Sequence, residues 1–152
     1  MTNPVCPKTG APMHRDVRPL TLTYKGKSMT FKMPGWYCDS SKESIHTGED
    51  MKVSDRMLNR LKARAENLLE PDEIKRIRKK LGLSQVTAGQ MIGGGPRAFQ
   101  KYESGDLLTS RAISNALVLL DHNPKALAIL RSSNARRHRS HKANPASTHE
   151  RP

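Results

Sequence analysis

Aromatic residues make up only 4% of the 152 positions and hydrophobic residues only 35%. So little apolar material leaves a thin core for any small N-terminal unit, which would need a metal, a partner or a second copy to stabilise it, and it argues against a large catalytic cleft. The sequence also lacks any run of about 18 apolar residues, so no membrane-spanning helix is expected. No apolar segment follows Met1-Thr2-Asn3-Pro4 as a secretory signal would require. The expected location is the cytoplasm, where the two cysteines, Cys6 and Cys38, stay reduced.

Acidic residues are scarce as well. Fourteen Asp and Glu face 27 Lys and Arg, for a formal net charge of +13 and a pI near 10.2. The excess is positive in every region and densest at the end, where residues 131–152 carry six basic residues against one acidic. A balance of this kind points to nucleic acid phosphates as partner. Charge does not separate DNA from RNA, but the sequence offers no aromatic stacking residues in a basic groove, which favours duplex DNA over single-stranded RNA.

What is present divides the chain at Glu70-Pro71. Upstream, Leu20, Leu22 and Tyr24 alternate, Lys25-Gly26 makes a turn, and Met29, Phe31 and Met33 resume the alternation. This predicts a β-hairpin. Pro34-Gly35 is expected to end its second strand, with Trp36-Tyr37-Cys38 as a short third strand. From about Asp50 to Leu69 the apolar residues recur at helical spacing. Proline disfavours helix in the residue before it but suits a first helical turn, so Pro71 ends one helix and starts another.

Downstream the pattern is a string of short helices. Ile74 and Ile77 lie on a charged helix stopped at Gly82, and Ser84 caps the next. Gly93-Gly94-Gly95 breaks the chain, Pro96 opens a helix to Ser104, and Gly105 closes it. A fourth helix follows Ser110, and a last short one ends near Leu130 after Asn123-Pro124. Beyond Arg131 apolar periodicity is lost, and disorder is expected. The expected fold class is thus α+β. A small N-terminal three-stranded domain with a linker helix (residues 1–70) precedes an all-α, five-helix helix-turn-helix domain of XRE/Cro-like type (71–131) and a basic disordered tail (132–152).

A short helix, a glycine turn and a second short polar helix is the layout in which the second helix enters the major groove of DNA. Ala98 and Phe99 would then pack inward, whereas Arg97, Gln100 and Lys101 share the outer face at spacings of three and four. Arg and Lys bond guanine O6 and N7, and Gln bonds adenine N6 and N7, which makes these three the base-reading candidates. Ser84 and Gln85, opening the preceding helix, are candidates for phosphate contacts. Tyr102 is either a further backbone contact or a core tyrosine. The run Arg76-Ile77-Arg78-Lys79-Lys80 reads as a solvated, phosphate-facing flank. The three glycines are a turn and not a phosphate loop, since no Gly-Lys-Ser or Gly-Lys-Thr follows.

With those residues in place, the chain resembles the MqsA antitoxin family, whose members join a zinc-binding N-terminal domain to a C-terminal helix-turn-helix. The resemblance is carried by Cys6-Pro7, by Gly35-Trp36-Tyr37-Cys38, by Ile77-Arg78-Lys79-Lys80-Leu81 with Leu83-Ser84-Gln85, and above all by the block from Gly93 to Gly105. It covers roughly residues 1–131. It implies an antitoxin and transcriptional autorepressor that neutralises an MqsR-like or other mRNA-cleaving toxin through its N-terminal domain and binds a palindromic operator as a homodimer through its C-terminal domain. The family's base-reading Asn and Arg fall here on Arg97 and Lys101, so the operator it reads is not carried over.

The resemblance also implies zinc held by two C-x-x-C pairs. Here the pairs read Cys6-Pro7-Lys8-Thr9 and Cys38-Asp39-Ser40-Ser41, with one cysteine of each replaced by a hydroxyl residue. Structural zinc takes about four N or S ligands, so no cofactor is expected. Any metal would use Cys6 and Cys38, with His14 and His46 to complete the set. Without metal the cysteines are a buried thiol pair or a redox-sensitive disulfide.

An enzyme is not expected, because the cysteines lack a motif that pairs them with a base, and three of six histidines, His138, His141 and His149, fall in the tail. The alternative to an antitoxin is a stand-alone helix-turn-helix regulator without a toxin partner. For either, the helix with Ile113, Leu117 and Leu120 and the last helix with Leu127 and Leu130 are the expected dimer interface.

Overall fold

A computed structural model describes residues 2–142. An α+β layout is observed. Strands β1 (His14–Tyr24) and β2 (Lys27–Tyr37) form an antiparallel hairpin, and β3 (Ser44–Ile45) pairs with the far end of β2. The hairpin turn is Lys25-Gly26, both residues at positive φ (47° and 77°), the backbone that matches the twist of the flanking strands.

The expected break at Pro34-Gly35 does not occur. β2 runs through both residues, and the third strand is Ser44–Ile45 instead of Trp36 to Cys38. The reason lies in the edge. The Pro34 carbonyl is 2.9 Å from His46 Nδ1, so the nitrogen of Pro34 also points away from β1, toward the side where β3 pairs only with Trp36 and Tyr37. A proline there costs no ladder bond. Gly35 is equally required, since a Cβ would lie 2.6 Å from the His46 ring.

Met29, Met33, Gly35 and Tyr37 of β2 are buried on one face, and α1 (Gly48–Glu66) packs across that strand. Thr47 and Asp50 form a capping box at the start of α1, each side chain taking a backbone N–H from the other, which satisfies two otherwise unpaired donors. Arg15 of β1 adds a two-pronged bond to Asp50, at 2.8 and 2.7 Å, and the aspartate is only 3% exposed. Asn67, in the left-handed conformation, ends the helix.

The second half comprises α2 (Pro71–Lys80), α3 (Gln85–Met91), α4 (Ala98–Ser104), α5 (Arg111–His122), a 3-10 turn (Pro124–Ala126) and α6 (Leu127–Lys142). The expected signals act where they stand: Pro71 begins α2, Ser84 and Ser110 cap α3 and α5, and Gly105 at φ 87° closes α4. Ile74, Ile77, Leu81, Leu83, Ala88, Phe99, Tyr102, Leu117 and Leu120 form one core. Helix α1 reaches it through Asn59 Nδ2, which donates to the Gly105 carbonyl at 2.9 Å, and through the Arg56–Asp106 pair at 2.8 Å. Leu69 N donates to the buried Ser114 hydroxyl at 3.0 Å.

α6 is longer than expected. Residues 132–142, assigned by composition to a disordered tail, continue the helix to Lys142. No glycine or proline interrupts 127–142, and Ala, Arg and Lys are good helix formers, so a polar composition alone does not end the helix. The part of the expected tail after Lys142 lies outside the described residues.

Candidate nucleic-acid interface

The glycine turn sets the geometry between α3 and α4. Gly93, Gly94 and Gly95 all adopt positive φ (138°, 94° and 90°), which other residues rarely occupy. The turn folds back onto α3: the N–H groups of Gly93 and Gly95 both donate to the Gly89 carbonyl, at 3.1 and 3.2 Å. Gly89 is buried, and a Cβ on it would collide with the Gly95 carbonyl oxygen. The glycine turn that leads into α4 therefore packs backbone against backbone on α3.

Because of that contact, α4 presents its inner face to the core and its outer face to solvent. Phe99 is fully buried, Ala98 is 5% exposed, and Arg97, Gln100 and Lys101 are all exposed. Arg97 is the N-cap of α4 rather than its first turn, so it projects from the mouth of the helix beside the glycine turn. The three expected side chains thus belong to one short exposed segment. Ser84 caps α3, its hydroxyl accepting the Thr87 N–H at 3.1 Å and donating to Thr87 Oγ1 at 2.9 Å, while Gln85 is half-buried next to it. Of the two readings of Tyr102, the core one has support: it is 5% exposed and packs edge-on to Phe99 at 5.6 Å between ring centroids. Burial raises the pKa of its phenol.

The basic run on α2 is largely solvent-exposed, as its composition implies, with the Arg76 side chain 55% and that of Lys80 46% exposed, but most of its cations also have partners in the fold. Arg76 and Lys80 both bind Asp121 of α5, each at 2.9 Å, and their hydrogen bonds, that of Arg76 first, hold the Asp121 carboxyl well below the usual carboxylate range. Arg78 points inward to Glu103 of α4. Three of the four cations in the run are thereby committed to partners in the fold. No sequence-local signal marks this, since the acids lie 25 and 45 residues away.

The expected dimer-interface residues are also internal. Leu117, Leu120 and Leu127 belong to the core, with Ile113 and Leu130 packed against it. The large apolar residues of α5 and α6 left facing solvent are Val118, Leu119 and Ile129, the last two 70% exposed. A readable signal existed: Leu117-Val118-Leu119-Leu120 is apolar at four successive positions, and a helix buried on one face needs only two of them.

At the other end of the molecule, Cys6 and Cys38 are each 1% exposed and share a small core with Met13, flanked by Ala11, Trp36 and Ile45. Both are free thiols. The structure brings hydroxyls to them that composition did not assign: Ser41 Oγ lies 3.2 Å from Cys6 Sγ, Ser40 Oγ 3.1 Å from Cys38 Sγ, and Thr9 Oγ1 3.6 Å from Cys38 Sγ. These hydroxyls, Ser40 first, hold the Cys38 thiol down to about 6, and Ser41 lowers that of Cys6. The expected alternative ligands do not join them. His14 lies 3.6 Å from Asp39, and His46 is bound between the Pro34 carbonyl and Ser44 Oγ. Among the described residues no three of His, Cys, Asp and Glu gather as a metal site would require. Two thiols and neutral hydroxyls are not a donor set that suits structural zinc. No helix among the described residues is long and apolar enough to cross a membrane.

Comparison with known proteins gives a single direction. Residues 1–131 match the family described as the antitoxin component of a bacterial toxin-antitoxin system, MqsA. The chain is 31% identical over 136 residues to Antitoxin MqsA of Escherichia coli (strain K12), an alignment that spans 86% of this chain and 100% of that protein.

Proposed function

The chain belongs to the MqsA antitoxin family, and from that premise we propose that it neutralises an mRNA-cleaving toxin through residues 1–70 and represses its own operon by binding a palindromic operator through residues 71–131. The observation that carries the DNA-binding half is the exposure of Arg97, Gln100 and Lys101 together on the outer side of α4, opposite a helix face buried by Phe99 and Tyr102. Long donors held on a rigid short helix satisfy the geometric need of major-groove reading, and each good base pair of contacts contributes roughly 1 to 3 kcal/mol of discrimination. Gln85 and Ser84, at the start of α3, are assigned in this reading to the phosphate backbone rather than to base edges. One recognition helix reads few bases, so the operator is bound by two copies, with half-sites about 10 bp or a multiple apart.

The toxin-binding half is supported by the family and by the surface of the sheet. β1 is an edge strand that exposes Val17 and Leu20, at 51% and 38%. Isolated exposed apolar residues are ordinary, but on a thin-cored unit they are also where a partner adds area. The role is that of a binding protein and not an enzyme.

The direct test is binding of the full chain to the DNA upstream of its own gene against a scrambled duplex at physiological salt. Specific binding that is lost in both Arg97→Ala and Lys101→Ala supports the repressor. Equal, salt-sensitive binding to both duplexes leaves only the charge of the chain as the source of affinity and removes the base-reading role. Toxin neutralisation is read separately, as rescue of growth when the chain is co-expressed with the product of an adjacent gene.

A further inference from the structure

We propose that the N-terminal unit of this antitoxin is held without metal, by a crosswise set of hydrogen bonds in which Thr9 and Ser41 tie the two cysteine loops together.

The geometry is reciprocal. Cys6 of the first loop meets Ser41 of the second at 3.2 Å, and Cys38 of the second loop meets Thr9 of the first at 3.6 Å. Thr9 and Ser41 each stand three residues after a cysteine, so the four positions are the corners of a two-loop knuckle. Each loop is a tight turn closed by its own backbone: Gly10 N donates to Cys6 O and Cys6 N to Ala11 O, both at 2.8 Å, and Cys38 N donates to Glu43 O at 3.3 Å. Ser40 closes the ring, 3.2 Å from Thr9 Oγ1 and 3.1 Å from Cys38 Sγ.

The chemistry of the corners decides between metal and hydrogen bonds. A tetrahedral zinc site draws its strength from thiolate or imidazole ligands, and a neutral hydroxyl is a poor substitute. The same hydroxyl, with one donor and two acceptor positions, can hydrogen-bond to sulfur in either direction, each bond weak but several of them converging here. The loops therefore keep the arrangement in which four ligands would converge while the residues at two corners suit direct bonding across the gap. The consequence is independence from chelators and from zinc supply, and it stands whether or not the DNA-binding reading is correct.

Full-length protein expressed in zinc-supplemented medium is assayed for metal content and for melting temperature with and without EDTA, beside the double variant Thr9→Cys/Ser41→Cys. The wild-type chain is expected to carry no stoichiometric zinc and to melt at the same temperature in EDTA. The variant, with four cysteines at the four corners, is expected to take up one zinc per chain and to lose several degrees of melting temperature on chelation. One zinc per wild-type chain, with a melting temperature that falls in EDTA, overturns the proposal. So does a folded double variant that binds no zinc, because the corners then do not converge. If the double variant does not fold, Thr9→Ala/Ser41→Ala decides: a fall of several degrees is expected, and an unchanged melting temperature overturns the hydrogen-bonded knuckle.

Discussion

Arg78 of α2 and Glu103 of α4 form a two-pronged ion pair, Nε to Oε2 at 2.8 Å and Nη2 to Oε1 at 2.7 Å, with 12% and 5% of their side chains exposed. The remaining Arg78 nitrogen donates to the Leu83 carbonyl at 2.9 Å. One guanidinium thus ties together α2, the loop before α3 and the back of α4.

Removing the carboxylate strands a buried cation, so Glu103→Ala is expected to cost about 3 to 5 kcal/mol in urea unfolding. If α4 reads DNA as proposed, specific binding is expected to fall with it, because the outer face of α4 is oriented from behind. A cost below about 1 kcal/mol, the range of surface pairs, shows that the pair is solvated in solution.

Gly89→Ala tests the turn. Its Cβ would collide with the Gly95 carbonyl oxygen, and relief requires moving the backbone that positions Arg97. Overpacking of this kind costs roughly 1 to 3 kcal/mol, and loss of operator discrimination is expected at temperatures where the variant stays folded by circular dichroism. Retained discrimination would show that the glycine turn packs less closely on α3.

Asp50 gives a pH dependence. Arg15, followed by the Thr47 backbone N–H, holds its carboxyl well below the usual range. A carboxyl with a depressed folded value contributes stability that is complete above its unfolded value of about 4 and is lost as pH falls through the folded value. Stability should therefore decline below about pH 5, and Asp50→Asn should flatten that decline while lowering stability at pH 7 by about 1 kcal/mol, because a neutral amide is a weaker acceptor for the half-exposed Arg15 than the carboxylate. An identical acid profile in the variant would assign the decline to other carboxylates.

Leu119→Glu/Ile129→Glu addresses assembly. Both side chains are 70% exposed, so the substitutions leave the core intact, and a charge on an apolar contact favours separated copies. The expected outcome is a dimer for the wild-type chain and a monomer for the variant by light scattering, with weaker operator binding. A variant that remains dimeric places the interface elsewhere.

The sequence by itself determined the elements whose signals are local. Pro71, the Ser84 and Ser110 caps, Gly105 and the Lys25-Gly26 turn act through the φ and ψ of a few neighbouring residues, and helical spacing of Phe99 against Arg97, Gln100 and Lys101 sorted the inner face of α4 from its outer one. Residue types also told that the four-thiolate pattern was broken. Tertiary structure alone decided the pairings: Arg78 with Glu103, Arg76 and Lys80 with Asp121, Cys6 with Ser41 and Cys38 with Thr9. It likewise decided that Leu117 and Leu120 face the core while Leu119 faces solvent, and that Pro34 sits inside a strand. These depend on which distant segment arrives alongside, and partners separated by 25 to 45 residues leave no trace in a local periodicity.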